Sequence, residues 1–394
     1  MSALPDLTNR TILQVIPALD AGGAEQTTIE VADAVVQSGG RALVASGGGR
    51  LASRLKDVGG ELVPLNLSSK NPVILASNAA RLASLIETEA ADIVHARSRA
   101  PAWSAIMAAR RTNTRFVTTY HGIYSGERGL KRRYNSVMAR GDRVIANSNW
   151  TANHVRRVHG ISDDRLVVIP RGVDLEAFDP AAVEAERIGR IRSLFDIGPD
   201  ETRKIALLPA RLTPWKGQMV AIKAMSVLSE EERRGLRLVI AGDDQGRTHF
   251  RDDLDDEVTL SGLGDSVTLA DHIDDMPAAL AVADFVLAPS VRPEAFGRTA
   301  AEASAMGKPV VVSDHGGAQE VVVDGESGVR VTPGDPVALS AGLRLLLSMR
   351  EPSLAAMGQA GRARVQQYYS KRGLQAATLA VYTDLIANGF GDRA

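Results

Sequence analysis

A strand–loop–helix–strand pattern in the second half of the chain restricts the fold more than any other stretch. The apolar run 285–288 ends at a Pro-Ser pair, a polar loop follows, and a helical pattern covers 297–306. A Gly-Lys pair ends that pattern, and the apolar run 309–312 predicts the next buried strand. Neighbouring parallel strands need a helical crossover of this kind. The stretch therefore predicts an α/β fold built on a parallel sheet.

Two carboxylates in this stretch indicate a ligand. Glu294 lies in the loop and Glu302 on the helix, with seven residues between them. The start of a helix offers backbone N–H groups and a positive dipole end, which suit a phosphate. If the ligand is a nucleoside diphosphate that carries a further group, Glu302 is placed to reach its ribose and Glu294 to face the attached group. Two glutamates on a solvated helix are the simpler interpretation. The residues predicted to start the helix are Phe296, Gly297, Arg298 and Thr299.

Composition limits the protein class. With 394 residues, 44% hydrophobic and 24% charged, the chain is long enough for two globular domains. It has no cysteine, which excludes disulfides, thiolate zinc sites and a cysteine nucleophile. The N-terminus shows no signal-peptide pattern, and no apolar run approaches the roughly 20 residues that span a bilayer. We expect a cytoplasmic protein.

The formal net charge of −1 conceals a basic stretch. Between Arg97 and Arg143 the chain has eleven basic and two acidic residues, which indicates an anionic partner. Arg97 and Arg99 follow a predicted strand, where ligands gather in open α/β sheets. The amphipathic pattern 127–139 predicts a basic helix that either lies on an anionic membrane or is simply solvated. No nucleic-acid-binding module surrounds this stretch, so we expect no nucleic acid partner. The basic cluster of that helix is Lys131, Arg132 and Arg133.

Further polar loops follow predicted strands in the first half. Gly22 and Gly23 stand where the first strand turns into a helix and allow a ligand to approach the backbone closely. The Gly-x-Gly-x-x-Gly fingerprint is absent, so we infer no nicotinamide cofactor. His121 stands just past the end of the predicted strand 115–119, after Tyr120. A lone histidine is more often structural than functional. The Gly22-Gly23 pair and His121 therefore indicate a functional site only in combination with other motifs.

The second half repeats this arrangement. Arg211 and Lys216 lie in a loop between a predicted strand and a helix, and two cations at that spacing can flank a diphosphate. Gly242 follows the next strand, 236–241.

Taken in order, these motifs resemble the retaining glycosyltransferases of family 4, which have the GT-B fold, and the resemblance covers nearly the whole chain. It implies two Rossmann-like domains with parallel sheets facing across a cleft. Residues 1–180 would bind the acceptor, 181–370 the nucleotide sugar, and the helix 371–394 would return to the first domain. The family usually has Asn where this chain has Arg171.

The resemblance also implies roles. The Gly22-Gly23 loop would close over the donor diphosphate, and His121 and Glu294 would position the donor sugar. Arg211 and Lys216 would neutralise the leaving diphosphate, so neither a metal nor a cofactor is expected. Glu302 would hold the ribose of a UDP- or GDP-linked donor. The other expected donor-binding residues are Gly242, Phe296, Gly297, Arg298 and Thr299; those expected for an acceptor or anion are Arg97, Arg99, Lys131, Arg132 and Arg133.

The implied function is metal-independent, retaining hexosyl transfer from a nucleotide sugar to an envelope glycoconjugate such as a lipopolysaccharide core. The protein would then work in the cytoplasm or peripherally at the inner face of the cytoplasmic membrane. Three alternatives stay open. One is a soluble glycosyltransferase in which Arg97 and Arg99 bind a small sugar phosphate, another is a nucleotide-sugar 2-epimerase, and the third is a nucleotide-sugar-binding module without turnover.

Overall fold

The computed structural model describes residues 3–20, 22–244, 246 and 248–388. By the density of contacts, the chain divides into two compact units. The first runs to Gly172 and includes the C-terminal segment from Lys371, and the second comprises Val173–Ser370. The sequence places the domain boundary at 180, whereas the chain leaves the first unit at Gly172.

The described part of the first unit contains a seven-stranded parallel sheet with the order β3-β2-β1-β4-β5-β6-β7. Its strands are β1 (Thr11–Val15), β2 (Arg41–Ser46), β3 (Glu61–Pro64), β4 (Ile93–Ala96), β5 (Arg115–Tyr120), β6 (Arg143–Ala146) and β7 (Leu166–Val168). Its helices are α1 (Gly23–Gln37), α2 (Ala52–Asp57), α3 (Pro72–Thr88), α4 (Arg99–Arg111), α5 (Gly129–Asn135), which continues as a 3-10 turn (Ser136–Ala139), and α6 (Asn149–His159).

Alternating side chains cover both faces of this sheet. Along β1 and β2, Leu13 and Leu43 join the core beneath α3, α4 and α6. Their neighbours Ile12 and Val44 join the opposite core, beneath α1. Successive residues of a strand point to opposite faces, so strands that are apolar throughout require helices on both sides. This explains the continuous apolar runs of the sequence.

The second unit has the same design. Its described residues form a six-stranded parallel sheet in the order β10-β9-β8-β11-β12-β13, and the two parallel sheets confirm the predicted α/β class. The strands are β8 (Lys204–Pro209), β9 (Leu236–Ala241), β10 (Val267–Ala270), β11 (Phe285–Ala288), β12 (Val310–Ser313) and β13 (Gly328–Val331). The helices are α7 (Ala185–Leu194), α8 (Gln218–Val227), α9 (Glu230–Arg234), α10 (Thr248–Leu260), α11 (Met276–Val282), α12 (Arg298–Ala305), α13 (Ala318–Val321), α14 (Pro336–Ser348) and α15 (Glu351–Tyr368). Among the helices of the described ranges, none has the length and hydropathy of a membrane span.

The last helix, α16 (Lys371–Ala387), belongs to the first unit and packs on α1. Its buried Tyr382 forms a 2.5 Å hydrogen bond with Nδ1 of His95 on β4. The other ring nitrogen of His95 lies 2.7 Å from the Thr119 hydroxyl on β5. Burial and the nearby Arg97 hold the pKa of His95 well below its usual range, so this histidine is neutral. The helix is therefore tied to the sheet by polar as well as apolar contacts.

Replacing Tyr382→Phe should lower the free energy of unfolding of the first unit by about 1–3 kcal/mol, because His95 Nδ1 would be left buried without its partner. Urea unfolding followed by tryptophan fluorescence measures the change. Tyr368→Phe is the matched control, because Tyr368 is 54% exposed and its change should be close to zero. Equal effects of the two substitutions would contradict the structural importance of the Tyr382 contact.

Candidate functional site

Each sheet has one position where the strand order reverses direction. In the second unit this position is β8, which pairs with β9 on one side and with β11 on the other. Loops leaving neighbouring parallel strands on the two sides of such a point diverge, which opens a crevice at the carboxyl edge of the sheet. The loops after β8 and β11 carry Lys216 and Glu294, respectively. This crevice is the candidate donor site of the second unit.

Lys216 and Glu294 form an ion pair in this crevice. The distance from Lys216 Nζ to Glu294 Oε1 is 2.7 Å, and their side chains are only 14% and 15% exposed. Gly217 makes the approach of the two loops possible, because a Cβ atom there would lie 2.0 Å from the carbonyl oxygen of Pro289, and its φ of +85° suits glycine. Residues seventy-eight apart in sequence are thus held together by backbone packing as well as by charge.

The carboxylate of Glu294 is fixed by several contacts. The hydroxyl of Ser290, which follows β11, donates to the same Oε1 that accepts from Lys216. The backbone carbonyl of Glu294 accepts from the N–H of Gly317 at 2.7 Å. Within the described residues, Oε2 of Glu294 has no hydrogen-bond partner in the structure. Glu294 therefore presents one oriented acceptor atom for a hydroxyl group.

The start of α12 lies directly after this loop. Gly297 precedes the helix in a left-handed conformation, and Arg298 and Thr299 form its first turn, where backbone N–H groups have no intrahelical acceptor. Glu302 accepts from Arg298 Nε at 2.8 Å, and burial raises the pKa of its carboxyl group. The ring of Phe296 is buried in the core, so only its backbone is available to a ligand.

Two further predicted donor-binding residues lie at the same edge. Arg211 is exposed, and its guanidinium makes no hydrogen bond or ion pair with any residue that the structure describes. Gly242 follows β9 and packs closely against the carbonyl of Ala210, so a side chain at position 242 would collide with backbone. The structure thus brings Lys216 together with Glu294, while Arg211 carries a positive charge that no described side chain neutralises.

In the first unit the strand order reverses at β1, which pairs with β2 and β4. Gly22 lies directly before α1 and Gly23 is the first residue of this helix, at the carboxyl edge of the sheet. A Cβ atom at Gly23 would lie 1.7 Å from Nη1 of Arg171, so any side chain there would displace the guanidinium. Nη2 of Arg171 lies 3.4 Å from Nδ1 of His121. Asn, the usual family residue, has a shorter side chain, and Arg171 is therefore a candidate site residue that the resemblance did not supply.

The contact with Arg171 determines the tautomer of His121. A guanidinium has no lone pair to accept with, so Nδ1 of His121 is the acceptor and the proton lies on Nε2. Nε2 is buried and has no partner among the residues in the described ranges. Burial, with the charges of Arg171 and Arg97, holds the pKa of His121 well below its usual range. His121 is thus a neutral ring with an unused N–H donor.

Arg97 and Arg99 occupy different environments. Arg97 is only 2% exposed and donates to the Gln14 side chain at 2.9 Å and to the Thr119 hydroxyl at 3.4 Å. It lines a narrow cavity together with His121 and Arg171. Arg99 instead donates to Asn135 at 2.8 Å and stacks 4.1 Å from the centre of the Tyr124 ring. The two arginines therefore do not form the joint phosphate site that the small-acceptor alternative requires.

The basic cluster Lys131, Arg132 and Arg133 is exposed on α5. The sequence predicts that Leu130, Tyr134 and Val137 lie on one face of a single amphipathic helix. The structure differs, because α5 ends at Asn135 and Leu130 is 84% exposed, whereas Val137 is buried in the following 3-10 turn. An apolar side chain thus projects from the basic cluster instead of packing beneath it.

Two family models match the chain. The model for glycosyl transferases group 1 matches residues 190–364, and the model for Glycosyltransferase Family 4 matches residues 21–177. A glycosyltransferase from Rickettsia africae ESF-5 is 32% identical in sequence, with a TM-score of 0.88 over 96% of this chain and 99% of that one. The chain belongs to the family 4 glycosyltransferases. The predicted resemblance is therefore confirmed.

The chain is also similar to proteins whose names state a more specific activity or ligand. A "D-inositol 3-phosphate glycosyltransferase" of Segniliparus rotundus is 31% identical over 59% of this chain and 50% of its own length. An "MMP alpha-(1->4)-mannosyltransferase" of Mycolicibacterium hassiacum is 31% identical over 72% of this chain and 62% of its own. The chain thus spans between half and two thirds of the length of these curated relatives. Anabaena Alr3699/HepE in complex with UDP shares the GT-B fold, at 22% identity and a TM-score of 0.81 over 95% of this chain and 100% of that one.

Replacing Arg171→Asn, which restores the usual family residue, should raise the pKa of His121, because one of the charges that oppose protonation is removed while burial persists. A pH titration of histidine resonances by NMR measures the shift. Arg111→Asn makes the same substitution at an exposed arginine of α4 and should leave the pKa of His121 unaltered. An identical titration of His121 in all three proteins would show that Arg171 does not act on this ring.

Proposed function

We propose that this family 4 protein transfers a sugar, with retention of configuration, from a nucleotide sugar to an acceptor that carries an anionic group. The observation that supports this most strongly is the Lys216–Glu294 ion pair at the strand-order reversal of the second unit, directly before the first turn of α12. A cation, an oriented carboxylate and a helix N-terminus are the groups needed to hold a diphosphate that carries a sugar.

The ion pair has a consequence for donor binding. Lys216 is neutralised by Glu294 in the structure, so we infer that it exchanges this carboxylate for a phosphate oxygen when the donor binds. Glu294 is then released to accept hydrogen bonds from sugar hydroxyls. Arg211 and the N–H groups of the first turn of α12 contribute further positive potential, and Glu302 takes the ribose. Such preorganised charges lower the barrier by stabilising the leaving group.

In the proposed reaction the bond between the anomeric carbon and the phosphate oxygen breaks, and its electron pair stays on the diphosphate. The acceptor oxygen bonds to the anomeric carbon on the face that the diphosphate leaves. The acceptor proton passes to the departing phosphate oxygen, so charge and atoms balance without a covalent enzyme intermediate. His121, as a neutral Nε2–H donor, is suited to orient a sugar hydroxyl.

We assign the acceptor to the first unit because the basic cluster on α5 has no acidic partner among the residues that the structure describes. Of the two acidic residues between Arg97 and Arg143, Glu127 is held by Arg157 at 2.9 Å and Asp142 accepts from the backbone N–H of Phe116. Neither neutralises the α5 cluster. Relatives named for inositol 3-phosphate favour a small phosphate-bearing acceptor, whereas the exposed Leu130 favours a lipid-linked envelope acceptor. Both acceptors present a phosphate.

Replacing Lys216→Ala should lower kcat by about a hundredfold or more, because the developing charge on the diphosphate loses a donor. It should also abolish most of the rise in Tm that UDP or GDP produces with the native protein. Lys223→Ala, an exposed lysine on α8, is the control and should behave as the native protein. Full turnover by Lys216→Ala would exclude the proposed role of Lys216.

Replacing Glu294→Gln should separate binding from turnover. The amide loses the charge that orients sugar hydroxyls, while Lys216 is released toward the phosphate. We therefore expect UDP to bind at least as tightly as in the native protein, with kcat for a UDP-sugar reduced tenfold or more. Calorimetry with UDP and initial-rate measurements give the two values. Weaker UDP binding with unchanged kcat would contradict the proposal that Glu294 orients the sugar and does not hold the nucleotide.

A further inference from the structure

A basic cavity lies beside α5, and neither the Gly22-Gly23 loop nor His121 is among its lining residues. It encloses about 440 Å³ and opens to solvent. Among the described residues that line it, none is acidic. The lining residues are Gly129, Arg132, Arg133, Ser136, Ala139, Arg140 and His159. Three guanidinium groups and an imidazole thus surround one space of the size of a small ligand.

The cavity wall is held in place by local contacts. Arg140 Nη2 donates to the Ser136 hydroxyl at 3.2 Å, and this hydroxyl donates to the carbonyl of Arg133 at 2.8 Å. The guanidinium of Arg140 also lies 5.1 Å from the centre of the Trp103 ring, which restricts its movement. These contacts leave most N–H donors of Arg140 unused.

The positive charge of the cavity is not balanced by neighbouring side chains. Arg132 and Arg133 make no ion pair within the described ranges, and the nearby Glu127 is occupied by Arg157 through two hydrogen bonds. His159, the last residue of α6, has a pKa lowered by burial and by the charges of Arg132 and His154. Arginines gathered without a counter-charge favour an anion, and their planar donors match phosphate oxygens.

We propose that this cavity binds a phosphate group, held by Arg132, Arg133 and Arg140, with His159 at its wall. The proposal rests on the proposed sugar transfer, for which it assigns the phosphate of the acceptor to a defined place. The phosphate is carried either by a small soluble ester or by a lipid head group at a membrane surface. Leu130, exposed beside Gly129, is positioned to enter the apolar layer in the second case.

The test uses the full-length protein labelled with ¹⁵N-histidine and titrated with inorganic phosphate. A bound phosphate favours the charged imidazole, so the resonance of His159, assigned by its loss in His159→Gln, should shift saturably as the pKa of His159 rises. In a parallel arm, flotation with phosphatidylglycerol vesicles is compared with flotation with phosphatidylcholine vesicles. Saturable phosphate binding identifies a soluble source, and selective flotation identifies a lipid head group.

In whichever of the two experiments the native protein binds, the double variant Arg132→Gln/Arg140→Gln should weaken binding at least tenfold. Arg133→Gln alone should weaken it severalfold. Arg111→Gln, the same exposed change on α4, should have no effect. Circular dichroism shows whether each variant is folded, and the single Arg133→Gln change, at a side chain without described partners, provides the test if the double variant does not fold. Absence of binding in both arms, or binding that persists in the folded arginine variants, would overturn the proposal.

UDP binding, measured on the same preparations, distinguishes this result from failure of the proposed function. The arginine variants should bind UDP as the native protein does, because their changes lie in the other unit from Lys216 and Glu294. If the native protein binds phosphate in the cavity but binds no nucleotide, the phosphate site is supported and the proposed sugar transfer is contradicted.

Discussion

The parallel pairing of the strands is the constraint on which both candidate sites depend. In a parallel sheet every strand ends at the same edge, so the loops that follow the strands are gathered there whatever their separation in sequence. The order reverses at β1 and at β8, and in open α/β sheets ligands bind at the carboxyl edge beside such a position. The helices on both faces keep each sheet in place, and the loops can carry polar residues without loss of the core.

This constraint explains what the sequence predicted well. Continuous apolar runs such as 309–312 identify buried parallel strands, and a polar residue directly after such a run lies at the ligand-binding edge. Glu294, Lys216 and His121 are predicted from their positions in loops after such strands, and the order of the motifs indicates the family. The return of α16 to the first unit, by contrast, was expected only from the family resemblance, because an amphipathic helix does not specify its packing partner.

What the sequence did not predict depends on side-chain direction and on distant contacts. Arg97 and Arg99 are two residues apart, yet one is buried against Gln14 and the other stacks on Tyr124. The contact of Arg171 with His121 joins loops after different strands, and only the departure from the usual Asn marked the position. Lys216 was expected beside a diphosphate, and its pairing with Glu294 became visible only in the folded chain. Arg140 and His159 showed no motif at all.

The central claim is that the crevice of the second unit binds the diphosphate of a nucleotide sugar through Lys216 and the start of α12. A crystal structure of the protein with UDP tests it most directly. The account predicts the terminal phosphate within hydrogen-bond distance of Lys216 Nζ and of the backbone N–H groups at 297–299, with the Lys216–Glu294 contact opened. A terminal phosphate bound away from these groups, with the ion pair intact, would contradict it.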